Sequence, residues 1–218
     1  MPRRTTLTTA ATTLTAATLL LTACGGGGSD NKIASSPTTT TSAPPPTTAA
    51  PTTTPAAAGA PTFDFPSDVK VVIDPDTTGD ATKDAILRDQ GYGLDATYVA
   101  VSKLDKNQPL FNEYLVEDAA ETWSEAIDGG KKDSATITGT VHFYDRKVTV
   151  TDSTTAAVTF CEDQRYAYDK NTKTGKTAKT APSADSFIFH TSRMLKASDG
   201  TWQTSTYNSQ RGAAQCQQ

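Results

Sequence analysis

The side chains that could do chemistry are few. His142 and His190 are the two imidazoles of a 218-residue chain. His142 stands beside Tyr144 and Asp145, and His190 closes the apolar run Phe187-Ile188-Phe189. Imidazole, phenol and carboxyl groups can share acid–base work when burial in an apolar pocket shifts their acidity toward neutral pH. Strand alternation puts His142 and Tyr144 on one face, and His190 with Ile188 and Met194 on one face of another strand. With Tyr98 and Trp123 from the helical part, they make the candidate pocket set: His142, Tyr144, His190, Tyr98 and Trp123. Both faces of the Phe187 to Phe189 run are apolar, so the direction of these faces stays open. The plainer alternative for each histidine is a hydrogen-bonded structural residue. No serine–histidine–acid order, zinc-ligand spacing or phosphate loop is present. Gly91 and Gly93 do not follow a strand and so make no nucleotide fingerprint. No catalytic residue, metal or cofactor is therefore expected.

Two charged patterns allow a binding role. Glu113, Glu117, Glu121 and Glu125 recur every four residues, which suits a cation or a basic partner, or simply a solvated helix face. Lys170, Lys173, Lys176 and Lys179 recur among threonines around Gly175, a candidate contact for anionic wall polymers or headgroups, or a solvated hairpin tip. The remaining two-residue set is Cys161 and Cys216. A bridge between them closes a loop worth about 4 kcal/mol in the entropic model. A structural disulfide clipping the C-terminal tail to a core strand is expected, since no CxxC spacing points to redox or metal chemistry.

These groups need elements to hold them. Aromatic residues begin only at Phe63, and residues 63–218 read as a single domain. Phe63 to Pro66 and Val69 to Ile73 form an extended lead-in. Asp74 to Asp80 is a turn before a helix with an acidic first turn. Apolar spacing from Ala85 to Leu104 predicts that helix, with a break or kink at Gly91-Tyr92-Gly93. A second helix runs from Leu110 to Ile127 and stops at Gly129-Gly130, so helices span about 80–129. From Ala135 the period changes to two. Strands are expected over 135–144, 147–151, 155–162, 186–195 and 201–208, within about 135–209, joined as antiparallel hairpins by short turns. A longer connection runs from Arg165 to Ala184. Three of the 20 basic and one of the 24 acidic residues precede Phe63, so the domain carries a net charge of −6. That acidity gives no general attraction for nucleic acid, which is not an expected partner.

The amino terminus reads differently. Arg3 and Arg4 precede an uncharged stretch from Thr5 to Ala23 that holds Leu7, Leu14, Leu19, Leu20 and Leu21 but is diluted by threonine. It has the pattern of a signal peptide and is a poor permanent span. Leu21-Thr22-Ala23-Cys24, followed by four glycines, resembles the lipobox of bacterial lipoproteins. The resemblance implies cleavage before Cys24 and a diacylglyceryl group on its sulfur, leaving residues 1–23 as lipoprotein signal peptide. Acyl chains contribute about 0.8 kcal/mol per buried methylene, and two hold a protein on a bilayer where one does not. Residues 24–62 then form a lipidated, disordered Thr/Pro/Ala-rich tether, with too few large apolar groups to offset the entropy of ordering. The expected location is the extracellular face of the cell membrane.

Helices first and antiparallel strands afterwards argue for an α+β domain, with N-terminal helices packed against a strongly bent, cone-shaped sheet of about four to five strands. That order resembles the nuclear transport factor 2-like fold, also called SnoaL-like or cystatin-like. Gly139 to Val150 (GTVHFYDRKVTV) with Cys161-Glu162-Asp163-Gln164 is similar to uncharacterised actinobacterial lipoproteins and secreted proteins. The resemblance implies a pocket between helices and sheet, and dimerisation through the outer sheet face in some members. The leading expectation is a membrane-tethered, non-catalytic binding or interaction module. The alternative is a small-pocket enzyme or a carrier of a lipophilic ligand. Expected partners are membrane lipid through acylated Cys24, a second copy of the chain or an envelope protein, and a small apolar ligand. A cavity of several hundred cubic ångströms with a tyrosine, a histidine and an acid in hydrogen-bond reach favours an enzyme; a filled core with an exposed apolar sheet face favours the interaction module.

Overall fold

A computed structural model describes residues 59–217. The expected signal peptide, Cys24 and nearly all of the expected tether lie outside the described residues. The lead-in enters the sheet as β1, Val69–Ile73, which pairs in parallel with β2, Ala135–Val150. Between them lie three helices: α1, Ala81–Lys103; α2, Pro109–Tyr114; and α3, Glu117–Asp133. β3, Thr155–Asn171, β5, Phe187–Lys196, and β6, Trp202–Arg211, complete an antiparallel run in the order β1-β2-β3-β5-β6. A two-residue β4, Thr177–Ala178, pairs with β3 off this path. The class is α+β, with one parallel edge strand added to the expected antiparallel set.

Two features of the helices depart from the sequence reading. α1 is continuous through Gly91-Tyr92-Gly93. A β-carbon on Gly91 would stand 3.3 Å from Arg146 Nη1, so this glycine admits a guanidinium rather than breaking the helix. The second predicted helix is two, because Leu115 bridges to Thr204 and the Val116 N–H donates to the Thr204 carbonyl at 3.0 Å. α3 then runs through Gly129-Gly130 and stops at Ser134, which is left-handed and caps the Gly130 and Lys131 carbonyls. A β-carbon on Gly130 would lie 2.7 Å from the Ala135 carbonyl oxygen, so its task is the tight return into β2. The start of α1 is as expected, with Asp80 accepting from the Thr82 and Lys83 N–H groups.

The strands are longer than predicted. Two expected strands merge into β2, with register shifts between Thr140 and His142 and between Tyr144 and Lys147. β3 runs on to Asn171 and takes up part of the long connection. The sheet must curl, because α1 packs against both β2 and β6. Those strands are three spacings apart, about 14 Å in a flat sheet, which exceeds a helix width of about 10–12 Å. The register shifts are the bulges that supply the bend. Ile86, Leu87, Leu94 and Tyr98 of α1 are buried in the resulting hollow against Val141, Phe143, Val158, Phe160, Met194 and Trp202.

On the other sheet face the C-terminal tail covers an apolar patch. Cys161 and Cys216 form a disulfide with 5.5 Å between their Cα atoms. Tyr144, Phe187, Cys161, Ala213 and Cys216 make a small separate core, and the Tyr144 hydroxyl donates to the Cys216 carbonyl. The outer apolar groups of the Phe187 to Phe189 run are therefore covered by the chain itself. Among the described residues the exposed large hydrophobic side chains are Val150 and Tyr166, well apart in sequence. No helix among these residues is long and apolar enough to cross a membrane.

Candidate functional site

Alternation along β3 points Phe160, Glu162 and Gln164 toward the helices. The register sets His190 of β5 opposite Phe160, and Ser209 of β6 opposite His190. His190 thereby stacks on Phe160, with ring centroids 4.8 Å apart, and meets Glu162 on the diagonal. Its Nε2 lies 2.7 Å from Glu162 Oε2 and its Nδ1 lies 2.9 Å from Ser209 Oγ. Both His190 and Glu162 are 2% exposed. From α1 the Tyr98 hydroxyl donates to Glu162 Oε1, and Gln164 Nε2 donates to the same oxygen at 2.6 Å. A carboxylate this deep is tolerable only because three donors surround it. Burial and the adjacent Glu162 hold the Tyr98 phenol well above its ordinary pKa, so it is a hydrogen-bond donor and not a phenolate. The same two causes, burial first, raise Tyr207, whose ring packs 4.9 Å from His190.

This network stands at the buried end of a cavity of about 640 Å³. Tyr98 and Gln164 face its interior, Trp123, Val101, Ile137 and Tyr168 give it apolar walls, and the exposed Asp185 and Arg211 stand at its open end. Arg211 donates to Gln164 Oε1 at 3.0 Å and to the Asp185 carbonyl at 3.2 Å, which continues the polar chain from Glu162 to the rim. The arrangement can hold a molecule with an apolar body and a polar group directed at Tyr98 and Gln164.

The predicted pocket set divides in two. Tyr98 and Trp123 line the cavity, and His190 lies directly behind Tyr98 in the same network. His142 and Tyr144 do not belong to it. They point from the opposite sheet face, where His142 Nε2 lies 2.8 Å from Asp74 Oδ1 and Tyr144 binds the tail. Strand alternation decides this, since Val141 and Phe143 fill the core and force their neighbours outward. Glu162, Gln164, Ser209 and Arg211 were missed. The Cys161-Glu162-Asp163-Gln164 stretch carried the only hint, because its alternation hides Glu162 on the face of Phe160.

The charged patterns are surface features. Glu113, Glu117, Glu121 and Glu125 are all exposed and are split between α2 and α3. Lys170 lies in β3 and pairs with Asp68 at 2.7 Å, whereas Lys173, Lys176 and Lys179 are exposed beyond it. Among the described residues no group of three or more His, Cys, Asp or Glu side chains is arranged to hold a metal ion.

No family model matches the chain, and no curated protein matches it either. Solved structures do. The intermembrane space region of the chloroplast protein ARC6 is 12% identical, covers 56% of this chain and 92% of its own, with a TM-score of 0.40. A ketosteroid isomerase-like protein from Erwinia carotovora atroseptica is 14% identical over 56% of this chain and 92% of that one, with a TM-score of 0.38. A scytalone dehydratase-like protein from Novosphingobium aromaticivorans is 12% identical over 60% of this chain and 86% of that one, with a TM-score of 0.41. These are likenesses of fold, and no residue role is carried across them.

Proposed function

We propose that this chain is lipid-anchored at the extracellular face of the cell membrane, and that its α+β domain, of the nuclear transport factor 2-like kind, binds a small and largely apolar molecule. The cavity of about 640 Å³ ending on Tyr98 and Gln164 carries the reading. Its size falls in the range of about 300–1,000 Å³ typical of small-molecule sites, and it joins an apolar side formed by Val101, Trp123, Ile137 and Tyr168 to a polar side that includes Gln164, Asp169 and Arg211. Docking of a protein through the apolar groups of the outer sheet face has less in its favour, because the chain's own tail packs on Tyr144, Cys161 and Phe187 there. The lipobox-like Leu21-Thr22-Ala23-Cys24 supports the anchor. The Cys161–Cys216 bridge suits an oxidising compartment.

Mass spectrometry of the full chain recovered from its own host in mild detergent tests both parts. The denatured mass is expected to show a chain starting at Cys24 and carrying acyl groups, and the native mass an additional small molecule. A chain that retains Met1 without lipid removes the anchor; a native mass equal to the denatured one at every detergent concentration removes the ligand.

A further inference from the structure

The sequence shows no serine–histidine–acid order, yet the fold assembles one. Glu162, His190 and Ser209 come from three adjacent strands, and the registers that bring them together are set by hairpins, not by local sequence. We infer that they form an acyl-transfer centre for small esters, with Ser209 as nucleophile, His190 as its base and Glu162 as the carboxylate that orients the base.

The hydrogen-bond pattern sets the proton positions. Glu162 also accepts from Tyr98 and Gln164, so it stands as an acceptor toward His190, and Nε2 carries the proton across the 2.7 Å contact. Nδ1 is then free to accept the Ser209 hydroxyl proton at 2.9 Å. A carboxylate holds one nitrogen of the ring in one tautomer, and the other nitrogen activates a hydroxyl, which is the logic of the serine hydrolase triad with the ring nitrogens exchanged. Burial completes the division of labour. His190 and Glu162 are each 2% exposed, whereas Ser209 is exposed, so of the three it is the serine that meets solvent.

Arg211 lies two residues further along β6, on the face that Ser209 shares. Its donor contacts, to Gln164 and the Asp185 carbonyl, leave other N–H groups of the guanidinium for a developing oxyanion. In the first step Ser209 Oγ bonds to the ester carbonyl carbon while its proton passes to His190 Nδ1. The tetrahedral adduct collapses, the carbon–oxygen bond to the alcohol breaks, and the leaving alkoxide takes that proton. Water then bonds to the acyl carbon while its proton passes to Nδ1, the carbon–Oγ bond breaks, Ser209 Oγ takes that proton and the acid departs. Nothing is oxidised or reduced, and the co-reactant is water.

The test is labelling of the full chain with an alkyl fluorophosphonate, in which the Ser209 oxygen–phosphorus bond forms, fluoride departs and the hydroxyl proton is taken up by His190. Peptide mass spectrometry is expected to place the adduct on Ser209, and Ser209→Ala to abolish it with the near-ultraviolet dichroism unchanged, since the site is exposed. His190→Gln is expected to slow labelling by about 100-fold or more, the low end of what a general base supplies. Glu162 acts through His190 as a positioning residue. Glu162→Gln is therefore expected to lower kcat for p-nitrophenyl acetate hydrolysis with KM little changed, the split expected for loss of an interaction that orients the base and not of substrate binding. An adduct elsewhere or none at all overturns the inference, as does a His190→Gln protein, shown to be folded, that labels at the parent rate. The result does not depend on whether a small molecule co-purifies from the host.

Discussion

Asp95 makes a sharp stability prediction. It lies on α1, half-buried, and its carboxylate makes no hydrogen bond among the described residues. Burial pushes its pKa from 3.8 up to about 7, with the positive charge of Arg146 opposing the rise. The folded state thus holds a proton that the unfolded chain releases near pH 4. The protonated form's contribution is fully present below about pH 4 and is lost as pH rises to about 7. At about 1.4 kcal/mol for each factor of ten in proton affinity, the displacement has a ceiling of about 4 kcal/mol. Solvent screening of a side chain that still touches water brings that to about 2 kcal/mol. Asp95→Asn removes the titration and keeps the shape. Urea unfolding followed by the fluorescence of Trp123 and Trp202 should give equal stabilities for the two proteins near pH 4. Above pH 7 the variant should be more stable by about 2 kcal/mol. A stability difference that does not change with pH, or a variant weaker than the parent at pH 8, would refute the reasoning.

Two further substitutions probe the frame around the site. Cys161→Ser with Cys216→Ser opens a loop of sequence separation 55, worth about 4 kcal/mol by the entropic model. At about 2–4 °C per kcal/mol for a domain of this size, calorimetry should show Tm lower by roughly 8–16 °C; an unchanged Tm would mean that the tail is held by packing alone. Gly139 has φ of +95°, and a β-carbon there would meet the Tyr166 carbonyl oxygen at 2.1 Å. Gly139→Ala should therefore destabilise the domain by about 3 kcal/mol in chemical denaturation, and a loss under about 1 kcal/mol would contradict the close approach of β2 and β3.

Much of the architecture was readable because it follows from local periodicity. The shift from helical spacing to alternation at Ala135 is visible in the residues, and so is the Asp80 cap. The helix ends were misread where the physics is not local. Ser134 and Leu104 terminate helices in left-handed conformations that a reader assigns to glycine. Gly91 and Gly130 look like breaks, yet they serve close packing against partners distant in sequence. The candidate site divides along the same line. Tyr98 and Trp123 lie on apolar helix stripes and so were found. Glu162 was passed over because a lone acid in a strand carries no pattern. Its place beside His190 depends on register, which hairpin turns and bulges set. His142 and Tyr144 attracted notice as chemically able residues, but alternation with Val141 and Phe143 carries them to the far face.

The cavity itself is open to direct measurement by titration of the protein with a neutral, environment-sensitive naphthalene dye. Saturable binding of one dye per chain, with energy transfer from Trp123, is predicted, together with its loss in Ala167→Phe, which places a ring in the same space while β3 accommodates the aromatic. Dye that never saturates, or that binds a folded Ala167→Phe protein as tightly as the parent, would contradict it.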